Sequence, residues 1–293
     1  MVSIKFSCLF AVSSCVTICE AFSRNAPFQS KMFGTSSSIY PNEVRALGMV
    51  RTRGLEIRTE GATPAAGEMT LYIKAGPDGK SVGDCPFAHY AQMVLHEKGL
   101  PFTVIPSIQE TKPDWLIDFY GGSMPALRHR KECYVDSDVI AQYLDFFFIE
   151  PKLSEYSKAV MSEASDSTDG FFPALAKYLK STTDGDEADL ELKESLKQAL
   201  SKIEEQLNHD GKTGPYLAGD GEDLTLLDCA LAPKLYHMSV GLKEFKSSEI
   251  DVGSEFPLVK NYMDAVFDRE SFKNSIYPEE TIVWGWSNAR NSN

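Results

Sequence analysis

The hydrophobic pattern between residues 69 and 101 predicts one strand followed by one helix. Met69–Lys74 mixes β-branched, aromatic and apolar residues and runs into Ala75-Gly-Pro-Asp-Gly79, which is typical of a loop after a strand. From Pro86 onward, apolar residues recur at i, i+3, i+4, i+7 and i+8, which indicates a helix. These residues are Phe87, Tyr90, Ala91, Val94 and Leu95. Gly99-Leu-Pro101 ends the helical pattern.

The next segment adds three short strands and two helices. Strands are predicted at Phe102–Ile105, Ala126–Arg128 and Glu132–Val135, and helices at Pro113–Tyr120 and from Ser137 to about Phe148. The predicted order is strand, helix, strand, helix, two strands and a final helix. With a cysteine at the start of the first helix and a proline opening the third strand, this is the thioredoxin-like arrangement.

From about Glu150 onward the pattern is helical throughout. Thr225 followed by Asp228 predicts a capping box at a helix start, and Pro233 inside that helix predicts a kink. One long helix is predicted from apolar residues at helical spacing: Leu192, Leu196, Ala199, Leu200, Ile203 and Leu207. We predict an α/β plus all-α fold, with a thioredoxin-like domain at 68–150 and an all-helical domain at 151–293. This architecture resembles that of glutathione transferases.

The first 67 residues have the composition of a targeting sequence. Lys5 precedes an apolar run from Phe6 to Cys19, and small residues flank a potential cut after Ala21, which predicts a signal peptide over 1–21. Residues 22–67 begin with Phe22 and are Ser-rich, Arg-containing and poor in acidic residues up to about Arg58, as transit peptides are. The combination resembles the bipartite presequence of proteins sent to complex algal plastids. Ordinary secretion is the alternative.

Composition and charge narrow the functional classes. The chain has 43% hydrophobic residues and a formal net charge of −13, which is typical of a soluble globular protein and argues against a nucleic-acid partner. Of six cysteines, only Cys85, Cys133 and Cys229 lie beyond the predicted presequence, and none forms a Cys-x-x-Cys pair. An odd count without such pairs favours a reducing compartment over a disulfide framework.

Cys85 is the candidate nucleophile. It stands immediately before Pro86 at a predicted helix start, where free backbone N–H groups and the helix dipole favour a thiolate. We therefore expect a lowered thiol pKa. Cys133 in a predicted strand and Cys229 on an apolar helix face are expected to be inert.

Two charged neighbours of Cys85 have open roles. An anion beside a thiolate raises the thiol pKa, so Asp84 acts either as a proton shuttle for the leaving group or as a helix cap. Lys74, at the end of the first strand, is either a cation for thiolate and substrate or a solvated strand-end lysine.

Three further positions are candidates for binding glutathione. A cis bond between Met124 and Pro125 would turn the Met124 backbone N–H and C=O outward to pair with the cysteinyl part of the tripeptide. Asp136 and Ser137 at a helix start could hold the γ-glutamyl group or serve as plain N-caps, and both roles can hold at once. Lys112 could meet the glycine carboxylate.

At this point the sequence resembles the plant-type dehydroascorbate reductases, which are close to the chloride intracellular channel proteins. The resemblance covers about residues 69 to 287, ending near Gly285-Trp286. It rests on these motifs: Lys74-Ala75, Gly83-Asp-Cys-Pro-Phe87, Lys112-Pro-x-Trp115, Asp136-Ser-Asp-Val-Ile140, Ala232-Pro-Lys-Leu-Tyr-His237, Phe245-Lys246, Phe256-Pro257 and Asn261-Tyr-Met263.

The resemblance implies reduction of dehydroascorbate to ascorbate by two glutathiones, with no tightly bound cofactor and no metal. The Cys85 thiolate attacks dehydroascorbate or first passes through an oxidised form, one glutathione gives a mixed disulfide, and a second releases glutathione disulfide. Lys74, Asp84 and Cys85 are carried over for substrate chemistry, with Lys112, Met124, Asp136 and Ser137 for glutathione. The family is usually monomeric, so we expect a monomer.

The chain departs from this family after Phe87. Ala88-His89-Tyr90 stands where the family usually has Ser or Cys followed by Gln-Arg. Ala88 excludes a second thiol in this motif, so a monothiol mechanism is required. His89 is expected to be a surface histidine, with replacement of part of the lost positive field as the alternative.

Two other functions compete with the reductase. A chloride intracellular channel-like protein would insert the comparable segment 86–109 into a membrane, but its charged residues, Gly99 and Pro101 disfavour stable insertion. An omega-like glutathione thioltransferase would use the same cysteine. The histidines show no paired metal-ligand spacing, and the acidic run Asp184 to Glu191 is interpreted as capping and solvating a helix start.

Overall fold

The four-stranded sheet lies in the first part of the described chain. The computed structural model describes residues 69–183 and 185–291, so the predicted signal peptide, the transit-like segment and Asp184 lie outside the described residues. The strands are β1 (Met69–Lys74), β2 (Phe102–Ser107), β3 (Ala126–His129) and β4 (Glu132–Val135). Their spatial order is β2-β1-β3-β4, with β1 and β2 parallel and the other pairs antiparallel.

Helices cover both faces of this sheet. They are α1 (Pro86–Glu97), a 3₁₀ turn (Gln109–Thr111), α2 (Asp114–Tyr120) and α3 (Ser137–Phe147). Successive strand residues point to opposite faces, so Leu71 and Ile73 join the main core with α1 and α3 while Tyr72 packs with Leu116 of α2. The element order matches the prediction, and the thioredoxin-like expectation is confirmed.

The remainder of the described chain is helical, as predicted. The helices are α4 (Lys158–Thr168), α5 (Phe171–Lys180), α6 (Glu187–Leu207), α7 (Leu226–Phe245), α8 (Val252–Glu255), α9 (Pro257–Phe267), α10 (Glu270–Ser275) and α11 (Glu279–Asn291). Thr225 and Asp228 form the expected capping box of α7, and this helix continues through Pro233. In α6 the apolar positions from Leu196 to Leu207 are buried, as the helical spacing requires.

One edge of the sheet gathers the segments that carry the candidate site. Lys74 pairs with Ser107, Tyr72 with Ala126, and Ala126 with Val135. The carboxyl ends of β1, β2 and β4 therefore lie at the same edge as the amino end of β3. Lys74 ends β1 at this edge, and the segments that connect the elements here hold the candidate residues Cys85, Lys112, Met124, Pro125 and Asp136.

The acidic run before α6 differs from its prediction in one residue. Asp186 caps the helix by accepting from the Asp189 backbone N–H at 2.8 Å, as expected. Asp189 is buried rather than solvated, because its carboxylate binds the buried Lys246 ammonium at 2.5 Å. Lys246 lies 57 residues further along the chain, so no local pattern could predict this pair. No helix among the described residues is both long enough and apolar enough to span a membrane.

Candidate active site

Cys85 lies where the loop after β1 enters α1. It is the N-cap residue of α1, with extended backbone angles of φ −80° and ψ 111°, and Pro86 occupies the first turn. The preceding loop folds back onto β1, because the Gly83 N–H donates to the Lys74 carbonyl at 2.9 Å. A Cβ at Gly83 would lie only 2.5 Å from that carbonyl oxygen, so glycine permits this close approach. The fold thus brings the half-buried thiol of Cys85 beside the end of β1.

The electrostatic surroundings of Cys85 differ from the expectation. Burial raises the pKa of the Cys85 thiol above its ordinary value, and the Asp84 carboxylate acts in the same direction. The Ala88 and Phe87 backbone amides and the Lys74 ammonium oppose this rise without overcoming it. The prediction of a lowered pKa is therefore wrong, because removal of the thiolate from water outweighs the favourable helix start.

Lys74 and Asp84 form an ion pair beside Cys85. The Lys74 Nζ donates to Asp84 Oδ1 at 2.7 Å, and the Asp84 side chain is only 1% exposed. Of the two roles left open for Asp84, helix capping is not supported, since Oδ1 binds Lys74 and Oδ2 has no hydrogen-bond partner among the described residues. Lys74 is partly exposed and is not a freely solvated lysine, because it also lies 5.2 Å from the ring centre of Trp284.

A hydrogen-bonded group of three buried residues lies near Asp84: His237 of α7, Tyr277 between α10 and α11, and Trp286 of α11. Trp286 Nε1 donates to His237 Nδ1 at 3.1 Å, and His237 Nε2 lies 2.8 Å from the Tyr277 hydroxyl. Because the indole N–H can only donate, His237 must carry its proton on Nε2. Burial, followed by the nearby Lys74 ammonium, lowers the pKa of His237 to about 3. These residues lie far from Cys85 along the chain and only the fold brings them together, so no local pattern assigns them a role.

His89 is buried, which corrects the expectation of a surface histidine. It is 0% exposed, and its ring lies 5.0 Å from that of Phe272 and 5.2 Å from that of Tyr277. Within the described chain neither ring nitrogen has a hydrogen-bond partner. The outer side of α1 is covered by α7 and α10, so a position that is polar in the helical pattern becomes interior. Burial lowers the pKa of His89 to about 3, so the neutral ring supplies no positive field for Cys85.

The residues selected for glutathione surround the same edge of the sheet. The Met124–Pro125 peptide bond is cis, as expected. Asp136 has a positive φ of 86° and caps α3 by accepting from the Asp138 N–H at 2.9 Å, and Ser137 is the buried first residue of that helix. The capping alternative thus describes Asp136 correctly, and a capping carboxylate retains further acceptor positions for a ligand.

Lys112 and Phe87 are two further residues of the candidate site. The Lys112 ammonium donates to Gln109 Oε1 at 3.1 Å, and partial burial lowers its pKa. On the other side, Phe87 lies 5.8 Å from the ring of Phe172, and the Lys234 ammonium lies 5.9 Å from the Phe87 ring centre. The candidate site therefore combines polar residues of the sheet edge with Phe172 and Lys234 of the helical domain.

The other two cysteines have surroundings that suppress reactivity. Burial raises the pKa of Cys133 to about 12, and it also raises the pKa of the fully buried Cys229. Among the described residues, no group of three or more His, Cys, Asp or Glu side chains could hold a metal ion.

Comparison with family models identifies both halves of the described chain. Residues 84–145 match the glutathione S-transferase N-terminal domain, and residues 174–265 match the glutathione S-transferase C-terminal domain. These matches agree with the thioredoxin-like and helical parts of the structure.

Similar individual proteins come from plants and algae. The chain is 33% identical to the Arabidopsis thaliana protein "Glutathione S-transferase DHAR2" over 72% of this chain and 92% of that protein. It is 30% identical to "Glutathione S-transferase DHAR3, chloroplastic" from Arabidopsis thaliana, over 76% of this chain and 81% of the relative. The crystal structure of Chlamydomonas reinhardtii dehydroascorbate reductase is 29% identical with a TM-score of 0.61, covering 75% of this chain and 97% of that chain.

Proposed function

Because the chain belongs to the glutathione S-transferase family, within its dehydroascorbate reductase group, we propose that it reduces dehydroascorbate to ascorbate with two glutathiones through Cys85. The observation that carries this proposal is the position of Cys85, at the start of α1 and beside the Lys74–Asp84 ion pair. A nucleophile, a cation and an acid–base group thus lie together at one edge of the sheet. Of the other two cysteines of the described chain, Cys133 lies within β4 and Cys229 is buried within α7.

The first step joins Cys85 to the substrate. The thiolate forms a carbon–sulfur bond with one of the adjacent carbonyl carbons of dehydroascorbate, and the carbonyl oxygen becomes an oxyanion. The Lys74 ammonium is partly exposed and can face this developing charge. Asp84 can accept the thiol proton and later return it to the product, as the proton shuttle considered above.

The second and third steps use one glutathione each. The first glutathione thiolate attacks the Cys85 sulfur, so that a disulfide bond forms while the carbon–sulfur bond breaks. The electron pair of the broken bond remains on the substrate, which takes up a proton and leaves as ascorbate. A second glutathione thiolate attacks the glutathionyl sulfur of the mixed disulfide, releases glutathione disulfide and restores the Cys85 thiolate.

Glutathione would bind along the sheet edge. We assign the Met124 backbone N–H and C=O, next to Pro125, to the cysteinyl part of the tripeptide. Asp136 and Ser137 would bind the γ-glutamyl ammonium and carboxylate at the start of α3. Lys112 would bind the glycine carboxylate.

Replacement of Cys85 by serine tests the proposed nucleophile. We expect Cys85→Ser to lower kcat/KM for glutathione-dependent ascorbate formation by about a thousandfold, since a serine hydroxyl remains protonated and is a poor nucleophile. Because burial raises the pKa of the Cys85 thiol, wild-type kcat/KM should increase with pH as the thiolate forms. The measurement is the initial rate at which ascorbate absorbance increases, determined from pH 6 to pH 9.

The matched control is Cys133→Ser, which removes another half-buried thiol outside the proposed machinery. Its kcat/KM should remain within about twofold of wild type. Equal rates for Cys85→Ser and wild type would overturn the catalytic role of Cys85. Cys85-dependent reduction of small disulfides without ascorbate formation would instead favour a glutathione thioltransferase.

We further propose that residues 1–67 direct the protein to a complex plastid. The support is the apolar run after Lys5, the Phe22 junction and the acid-poor segment that follows. The chloroplastic relative from Arabidopsis thaliana agrees with a plastid destination, where glutathione and ascorbate chemistry requires reduced thiols.

A further inference from the structure

Helix α11 touches the Asp84 carboxylate at Gly285. A side chain at Gly285 has no room, because a Cβ there would overlap Asp84 Oδ2 and would lie 3.2 Å from the Asp84 Cβ. Oδ2 is fully buried and has no hydrogen-bond partner among the described residues, whereas Oδ1 binds Lys74. The position of this carboxylate therefore depends on how closely α11 can approach.

The residue before Gly285 contacts the other member of the ion pair. The Lys74 ammonium lies 5.2 Å from the Trp284 ring centre, a distance that favours a cation–π interaction. One turn of α11 thus faces both Lys74 and Asp84. The next residue, Trp286, is 0% exposed and binds His237 of α7, which fixes this turn against the helical domain.

The contact joins the two domains at the reacting group. Asp84 belongs to the loop that ends at Cys85, whereas Gly285 belongs to the last helix of the described chain. An unpaired charged oxygen in an interior costs free energy unless the surrounding structure holds it there. Interior glycines also weaken helices relative to alanine, so helix formation alone gives no reason for a glycine at this position.

We propose that α11 positions the Asp84 carboxylate for the Cys85 reaction, with Gly285 allowing the close approach and Trp284 orienting the Lys74 ammonium. Both are positioning residues that act through the ion pair. The inference rests on the proposed function of Cys85, but its central readout is the thiol itself and requires no turnover of dehydroascorbate.

The first test is Gly285→Ala in the full-length protein. The added methyl group overlaps the Asp84 carboxylate, so the carboxylate must shift from its position beside Lys74. We expect kcat/KM for ascorbate formation to fall by about tenfold or more. The carboxylate raises the pKa of Cys85, and Lys74 lowers it. Displacing the carboxylate should therefore move the pH midpoint of iodoacetamide alkylation of Cys85 downward, by about half a pH unit or more.

A double-mutant cycle separates positioning from general damage to the helix. In the Asp84→Ala background the overlap with the carboxylate disappears. Adding Gly285→Ala should then leave the pH midpoint of alkylation unchanged and should change kcat/KM by no more than about twofold. If Gly285→Ala alone fails to fold, Asp84→Ala should restore folding in the double variant, which would support the same contact. An equal loss from Gly285→Ala with and without Asp84 would overturn the proposal.

Gly241→Ala is the matched control. Gly241 is also a helix glycine without room for a Cβ, but its neighbour is the Leu179 side chain, away from Cys85. Its thermal midpoint should fall while the alkylation midpoint of Cys85 stays unchanged. A similar shift of that midpoint in Gly241→Ala would show a nonspecific effect and overturn the proposal. If wild type alkylates as expected but makes no ascorbate, the proposed function fails while the positioning inference stands.

Discussion

Two buried histidines, His89 and His237, lie on the side of α1 that faces the helical domain. His237 is hydrogen-bonded by Trp286 and Tyr277, whereas the His89 ring lies against the rings of Phe272 and Tyr277. Burial lowers the pKa of each to about 3, and the nearby His237 also lowers the pKa of His89. At neutral pH both rings are uncharged in the folded protein.

Stability should decline in mild acid because of these residues. Below the unfolded pKa of about 6.5 the unfolded chain takes up protons that the folded chain, with pKa values of about 3, cannot bind. The free energy of unfolding therefore falls as pH decreases from about 6.5 towards 3, by up to about 1.4 kcal/mol per pH unit for each histidine. His89→Phe should remove one such contribution, and urea unfolding at pH 7, 6 and 5 measures the change in slope.

The control for this prediction is His209→Gln, which replaces an exposed histidine. Its pH slope should match that of wild type. A His89→Phe protein with the same slope as wild type would contradict the neutral, buried state of His89. Because phenylalanine has no polar atom to desolvate, the variant should also be at least as stable as wild type at pH 7.

At the scale of elements, the start of α7 depends on one buried carboxylate. Asp228 Oδ2 accepts from the Thr225 backbone N–H and from the Thr225 hydroxyl, both at 2.7 Å. Its Oδ1 accepts from the Leu217 N–H at 3.0 Å. Asp228 thus caps the helix and also attaches the preceding loop to it. Since α7 packs on α1 and carries His237, this cap supports the far side of the candidate site.

The two members of the capping box should contribute unequally. Asp228→Ala leaves two buried N–H donors unsatisfied and should cost about 3–5 kcal/mol of unfolding free energy. Thr225→Ala removes a hydroxyl but keeps the carboxylate, so it should cost about 1 kcal/mol. Chemical denaturation of both variants checks this order, with the exposed cap variant Asp251→Ala expected to be near wild type. Equal losses for Asp228→Ala and Thr225→Ala would contradict it.

The elements themselves were predictable because local patterns determine them. The strand at Met69–Lys74, the helix after Cys85 and the capping box at Thr225 each depend on neighbours within one or two turns. The burial of His89 and the upward pKa shift of Cys85 were not predictable, because they follow from helices that pack on α1 from the other domain. The same holds for the Asp84–Gly285 contact, which no local spacing indicates.

At the scale of the whole molecule, charged side chains at the end of α1 join this helix to α3 and to the helical domain. The buried Lys98 ammonium, just after α1, binds Asp145 of α3 at 2.6 Å and the Phe148 carbonyl at 2.8 Å. Glu97 Oε1 accepts from Arg269 Nε at 3.1 Å, which connects α1 to the segment between α9 and α10. The end of α1 is therefore bound both to the segment that follows α3 and to the helical domain.

The proposed targeting by residues 1–67 concerns the destination of the whole protein. A fusion of residues 1–67 to a fluorescent protein should accumulate in the plastid of an alga with complex plastids. The same fusion with Phe22→Ala should remain in the secretory pathway, because the junction residue is lost. Fluorescence microscopy against chlorophyll emission distinguishes the two. Secretion of both fusions would contradict the plastid proposal and favour an ordinary signal peptide.

The contact of α11 with Asp84 sets the order in which the protein can acquire its chemistry. Synthesis proceeds from the amino terminus, so the segment with Cys85 emerges long before Gly285. Until α11 has emerged and docked, the Lys74–Asp84 ion pair lacks the contacts of Gly285 and Trp284. A chain that is still being synthesised therefore has the Cys85 thiol beside an ion pair that α11 does not yet position. Full reactivity of Cys85 is expected only after α11 has docked.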